Sequence, residues 1–122
     1  MFNRPPILGV CALATVAMTA CSPSISPTEA EQVAADVKPL LEAMCVAGGP
    51  VEAARWPRSV RELDPASVEV RSDGLYVATA SFFAAEWGLF IPCHPDRFAP
   101  SASGDPSYKQ VVDGVFTYYI AG

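Results

Sequence analysis

A change in the spacing of apolar residues near residue 65 constrains the fold of this chain most strongly. Before it, five apolar residues recur at helical spacing, namely Val33, Val37, Leu40, Leu41 and Met44. After it, apolar and polar residues alternate over residues 67–71, and residues 75–83, 87–91 and 115–120 are further strand candidates. This order predicts an α+β fold, in which an N-terminal kinked helix packs on a small antiparallel sheet of about four strands.

The predicted helix has clear start and stop signals. Ser26-Pro27-Thr28-Glu29 is a capping box with proline at the first helical position, and Gly48-Gly49-Pro50 ends the helix. Pro39 removes a backbone hydrogen bond, so we expect a kink or two helical pieces. A second capping box, Ser59 to Glu62, predicts a short helix over residues 57–63, with Arg58 and Glu62 as an i,i+4 pair.

Two Asp-Gly pairs mark turns in the second half. Asp73-Gly74 predicts a tight hairpin turn with a positive φ, and Asp113-Gly114 leads into the last strand. Residues 108–112 are either a strand paired through this second turn or a helical turn. The proline-rich residues 92–107 predict a long loop, which is functional or loosely ordered in a domain of this size.

The N-terminus has the pattern of an export signal. Arg4 precedes an apolar run of 14 residues from Ile7 to Ala20, whereas a membrane-spanning helix needs about 20. The run ends at Met18-Thr19-Ala20-Cys21, which resembles the lipobox of bacterial lipoproteins. An ordinary secretory signal peptide cut after Ala20 is the alternative.

The resemblance implies that Cys21 is lipidated, for example with palmitate, and that residues 1–20 are removed. Residues 21–27 then form the lipidated cysteine and its tether, and residues 28–122 form one α+β domain. Ser22, in place of an aspartate after the cysteine, implies export to the outer membrane of a Gram-negative bacterium, on the periplasmic face. The membrane is thus an expected partner through its lipid anchor at Cys21.

Two cysteines remain in the mature domain. Because the periplasm is oxidising, Cys45 and Cys93 are predicted to form one disulfide that joins the helix to the sheet.

The sequence offers few candidates for chemistry. Seven basic and thirteen acidic residues follow Cys21, which argues against a nucleic-acid partner. Two cysteines and one histidine without a C-x-x-C motif do not predict a metal site, and no cofactor motif is present. Cys93 and His94 are adjacent and point to opposite sides of an extended chain, so they do not predict a catalytic pair. We therefore expect no catalytic residues, with an undetected periplasmic enzyme using Glu86 or His94 as one alternative.

The aromatic residues suggest a binding role. Ten of the twelve lie between Tyr76 and Tyr119, and Tyr76, Trp87 and Tyr118 are the candidate binding surface. The alternative is that they fill a small core, with the long loop folded over one sheet face. The arginines at 55, 58 and 61 form a basic stripe that could meet anionic lipid or simply be solvated.

These features together predict a non-catalytic binding or accessory module of the cell envelope, with a possible envelope protein partner. An immunity or inhibitor lipoprotein that neutralises a basic toxin or cell-wall hydrolase is the other alternative.

Overall fold

A computed structural model describes residues 25–121, which form one main helix, a short second helix and an antiparallel sheet of six strands on which the main helix packs. The strands are β1 (Gly49–Pro50), β2 (Ser67–Val70), β3 (Gly74–Phe82), β4 (Ala85–Pro92), β5 (Ser107–Val112) and β6 (Val115–Ile120). Their order across the sheet is β1-β2-β3-β4-β6-β5. The α+β prediction is therefore confirmed. The predictions for residues 1–20 and Cys21 lie outside the described residues.

The main helix, α1, spans Pro27–Met44 and begins with the predicted capping box. The Glu29 N–H donates to the Ser26 hydroxyl, and the Ser26 N–H donates to the Glu29 carboxylate, each over 3.1 Å. The helix runs through Pro39 without interruption, so the alternative of two helical pieces is wrong. The kink at Pro39 stays a prediction.

The second helix, α2, is the single turn Arg58–Arg61 and is shorter than predicted. No side chain caps it, because the Ser59 hydroxyl donates to the Asp36 carboxylate of α1 over 2.7 Å instead. The predicted capping box is thus wrong, and Ser59 ties the two helices together. The predicted pair of Arg58 and Glu62 is present, with 3.2 Å between Nε and Oε2 on the exposed surface.

The sheet has six strands, not the four predicted. β1 was missed because Gly49 and Pro50 indicate the end of a helix, yet they pair with Val70 and Glu69 of β2. β5 resolves the alternatives for residues 108–112 in favour of a strand, which pairs with β6. Gly114, at φ +81°, makes the turn between them.

Gly74 does not have the positive φ predicted for it. A β-carbon there would lie 2.4 Å from the Ile91 carbonyl oxygen and 2.6 Å from Cε1 of Phe90. Glycine is required at this position by the close approach of β4, and the hairpin turn is closed by the backbone hydrogen bonds between Arg71 and Gly74.

The two faces of the sheet carry different cores. The helix face, against which α1 packs, is aliphatic, with Val33, Val37, Leu75, Val77 and Leu89 among its buried residues. The opposite face, which we call the aromatic face, is built on four buried rings, those of Tyr76, Phe90, Phe116 and Tyr118. Phe98, from the loop between β4 and β5, packs on these rings, so that loop covers part of the aromatic face.

A β-bulge divides β3 into two parts. Ala78 pairs with Gly88 and Ala80 with Trp87, so Thr79 is an extra residue on the β3 side. Because side chains alternate along a strand, this residue reverses which face the following side chains occupy. Phe82 therefore lies on the helix face with Trp87, whereas Tyr76 lies on the aromatic face.

The predicted disulfide joins Cys45, directly after α1, to Cys93, directly after β4. The two cysteines are 48 positions apart in sequence, and their bond fixes the C-terminal end of α1 to the sheet. The Cys93 N–H also donates to the Asp73 carbonyl oxygen over 2.9 Å, which fixes the start of the long loop.

Candidate functional site

The three residues predicted as a binding surface do not share one exposed face. Tyr76 and Tyr118 each expose only 3% of their surface and belong to the aromatic face. Trp87 lies on the helix face and is half-buried. Tyr76 and Tyr118 are thus core residues, which agrees with the alternative that the aromatic residues fill a small core. The exposed aromatic surface lies elsewhere.

The hydroxyls of the aromatic face form a closed polar network. Tyr76 donates to the Asp73 carboxylate over 2.8 Å, and its oxygen lies 2.7 Å from that of Tyr108. Since a phenol has one proton to give, Tyr108 is the donor to Tyr76. Tyr118 donates a hydrogen bond to the Glu86 carboxylate.

Arg71 contacts both Tyr76 and Glu86 and so connects the two parts of the network. Its guanidinium carbon lies 4.2 Å from the centre of the Tyr76 ring, and Nη2 lies 3.2 Å from Glu69 and 3.6 Å from Glu86. Among the described residues, no buried side-chain nitrogen or oxygen lacks a hydrogen-bond partner. The polar groups of the aromatic face therefore bind one another, and these contacts hold the rings and the charged side chains in place.

Burial raises the pKa of Tyr76, and its hydrogen bond to the Asp73 carboxylate raises it further. Burial also raises the pKa of Tyr118, and the hydrogen bond to Glu86 adds to the effect. In both cases the folded protein favours the neutral phenol, because a phenolate would lose solvation and would face a carboxylate.

These pKa shifts predict a loss of stability at alkaline pH. The unfolded chain releases phenolic protons near pH 10, while folded Tyr76 and Tyr118 keep theirs, so their stabilising effect is complete below pH 10 and is lost above it. We expect the free energy of unfolding to fall by up to about 3 kcal/mol per pH unit above pH 10 for the two groups. Urea unfolding at pH 8 to 11 measures this slope. Tyr118→Phe removes one of the groups and is expected to reduce the slope by up to about 1.4 kcal/mol per pH unit, and an unchanged slope would contradict the assignment.

The exposed aromatic surface lies at the tip of the β3–β4 hairpin. Phe82 exposes 65% of its surface, Phe83 93% and Tyr119 46%. Tyr119 pairs with Trp87 across β4 and β6, with 6.1 Å between ring centres, and the Phe82 and Phe83 rings lie 4.4 Å apart. We call Phe82, Phe83, Trp87 and Tyr119 the tip patch.

Phe83 has an unfavourable backbone conformation for an aromatic residue. Its φ is +57°, in the left-handed region that glycine and asparagine occupy most easily. A strained residue of this kind persists where its side chain is needed or where the surroundings impose the strain. With 93% of the Phe83 side chain exposed, core packing does not account for an aromatic ring here.

A groove of about 190 Å³ lies beside the tip patch. Trp87, Leu89, Thr79 and Thr117 are among the sheet residues that line it, while Ile25 and Leu63 line it from the helical layer. Ile25 directly precedes the Ser26 cap, so the N-terminal end of α1 adjoins this groove. Of the tip patch, only Trp87 was among the predicted binding residues, because the reversal of faces at Thr79, which brings Phe82 to the face of Trp87, leaves no mark in the pattern of apolar residues.

The candidates for chemistry are separated in the structure. Glu86 lies near the start of β4 and His94 two residues beyond its end, so the strand from residue 86 to 92 alone separates them by about 20 Å. Glu86 binds Tyr118 and Arg71, and the sulfur of Cys93 is bonded to Cys45. His94 is exposed beside a small hollow lined by Asp73, Arg97 and Phe98.

Within residues 25–121, no three His, Cys, Asp or Glu side chains cluster closely enough to hold a metal ion. None of the helices described there is long and apolar enough to cross a bilayer. The arginines of the basic stripe, at 55, 58 and 61, are all exposed, and Arg58 binds Glu62.

Comparisons of the chain with protein-family models, with curated proteins and with solved structures find no match.

Proposed function

We propose that this chain is a periplasm-facing outer-membrane lipoprotein, anchored through Cys21, that acts as a non-catalytic binding or accessory module of the cell envelope. The observation that carries the proposal is the tip patch. It presents exposed aromatic rings beside the groove that Ile25, four residues after Cys21 in sequence, lines. Exposed aromatic clusters of this kind are typical of binding surfaces.

Two further observations support the proposal. The Cys45–Cys93 disulfide is suited to an oxidising compartment such as the periplasm. The titratable groups of the aromatic face are bound to one another, and Cys93 has no free thiol, which favours a structural use of these residues over a catalytic one.

The lipid anchor is tested in a Gram-negative host that expresses the full chain. We expect labelled palmitate to be incorporated and the protein to fractionate with the outer membrane. Cys21→Ser is expected to abolish both, and Cys11→Ser, in the same N-terminal segment, is the matched control that leaves both unchanged. Palmitate incorporation that survives Cys21→Ser would contradict the anchor.

The binding role is tested with a photo-crosslinking phenylalanine analogue in place of Phe82. We expect this analogue to form an adduct with an envelope component. The same analogue at Val46, which is fully exposed after the other end of α1, is the control and is expected to give no adduct. Equal adduct formation at the two positions would contradict a binding surface at the tip patch.

A second candidate is the neutralisation of a basic toxin or cell-wall hydrolase. Many of the carboxylates lie exposed, for example those of Glu31, Glu42, Glu52, Asp96 and Asp113, and the mature chain is strongly acidic. Such binding would be driven by charge, so it would weaken steeply with added salt. A salt-resistant adduct at Phe82 distinguishes the first candidate from this one.

A further inference from the structure

We infer that the tip patch docks into the interfacial layer of the bilayer to which Cys21 is anchored. This inference rests on the proposed lipid anchor and names the partner of the same surface. It gives the domain an orientation, with the β3–β4 hairpin tip towards the membrane and the disulfide end of α1 away from it.

The position of the tether is the first argument. Cys21 lies four residues before Ile25, so the two residues can be separated by at most about 14 Å. Ile25 lines the same groove as Trp87, which belongs to the tip patch. The end of α1 near Met44 lies about 27 Å further along the helix axis, since α1 has 18 residues. An anchor at Cys21 thus brings the tip patch close to the lipid and leaves Val46 remote from it.

The chemistry of the patch is the second argument. Residues 77–85 carry no charged side chain, and Glu86 binds Tyr118 and Arg71 on the aromatic face. Phenylalanine inserts its apolar ring among acyl chains, whereas tyrosine and tryptophan suit the boundary between acyl chains and water because one end of each is polar. Phe82 and Phe83 at the extreme tip with Tyr119 and Trp87 behind them match that arrangement.

The strained backbone at Phe83 is the third argument. A left-handed conformation costs a bulky residue free energy that asparagine or glycine would largely avoid. The exposed ring of Phe83 contributes little stabilising packing within the domain beyond its contact with Phe82. Insertion of this ring into lipid accounts for phenylalanine at a position that local structure disfavours.

The acidity of the domain determines how the docking works. A net charge of −6 after Cys21 repels anionic headgroups, so apolar insertion and not charge attraction drives the contact. We therefore expect docking that added salt does not weaken. A basic protein as the occupant would give the opposite dependence.

The test uses the purified, lipidated full-length product in vesicles of phosphatidylethanolamine and phosphatidylglycerol that contain lipids brominated near the headgroup. Phe83→Trp places a fluorophore at the tip, and Val46→Trp is the matched control at the other end of α1. After subtraction of the native tryptophan signal, we expect several-fold stronger quenching at position 83 than at position 46, at low and high salt alike.

Three outcomes would overturn the inference. Equal quenching at the two positions would exclude the orientation, and a blue-shifted but unquenched tryptophan at position 83 would indicate a protein occupant, including a second copy of this chain. A product whose mass lacks acyl chains would refute the anchor itself before any vesicle is prepared, so failure of the proposed function is distinguished from failure of docking.

A second variant separates docking from folding. Phe83→Asn relieves the positive-φ strain, so we expect its unfolding temperature to be no lower than that of the wild type. The same variant is expected to reduce the quenching of native Trp87 by brominated lipid, because the tip loses its inserted ring. Unchanged Trp87 quenching in the folded variant would contradict the role of Phe83.

Discussion

Replacement of both bridged cysteines, Cys45→Ala with Cys93→Ala, is expected to remove a large part of the stability of the domain. The disulfide closes a loop with a sequence separation of 48, and loss of that constraint on the unfolded chain corresponds to about 4 kcal/mol. A domain of this size has about 5–15 kcal/mol in total. Urea unfolding of the oxidised wild type and of the double variant measures the difference.

The control for this experiment is Val46→Ala, next to the bridge. Val46 is fully exposed, so its truncation is expected to change the free energy of unfolding by less than about 0.5 kcal/mol. Reduction of the wild type with a thiol reagent is expected to reproduce the curve of the double variant. A loss below about 1 kcal/mol in the double variant would show that the unfolded chain is already compact around the bridge.

Features that depend on local chemistry were predictable from the sequence. The capping box of Ser26 and Glu29 begins α1, because it needs only residues three apart. The strand at 115–120 and the glycine turn before it follow from alternation and from the positive φ that glycine allows at Gly114. The Cys45–Cys93 bridge was predicted from the expected export to an oxidising compartment and from the two cysteines left in the expected mature domain.

The features that define the site depend on contacts between distant residues. Tyr76 and Tyr118 were candidates for an exposed surface, but Phe98 and Tyr108 from later in the chain pack over the aromatic face. Ser59 has the spacing of a capping residue, yet Asp36 from α1 competes for its hydroxyl. Such competition is decided by tertiary packing, which a spacing rule does not contain.

The sheet face on which Phe82 lies could not be predicted for a similar reason. Simple alternation places residues 76 and 82 on the same side of a strand. The extra residue at Thr79 reverses this alternation, and it is visible only in the pairing of β3 with β4. The reversal brings Phe82 to the face of Trp87 and Tyr119, so the tip patch exists because of the bulge.

Gly88→Ala is expected to have the largest effect of any single substitution considered for this chain. A β-carbon at position 88 would lie 1.9 Å from the Val77 carbonyl oxygen and 2.9 Å from the Thr79 nitrogen. Both are backbone atoms of the adjacent strand at the bulge, so no side-chain rotation can relieve the overlap. We expect a loss of about 3 kcal/mol or more in the free energy of unfolding, measured by urea unfolding.

Gly104→Ala is the matched control, because its nearest atom is the Ser101 hydroxyl oxygen, 3.1 Å away on a side chain that can move. We expect it to change the free energy of unfolding by less than about 0.5 kcal/mol. A similarly small effect at Gly88 would mean that β3 and β4 separate easily at the bulge. The bulge would then not fix the face on which Phe82 lies, and the tip patch would lack the rigid support that a docking surface needs.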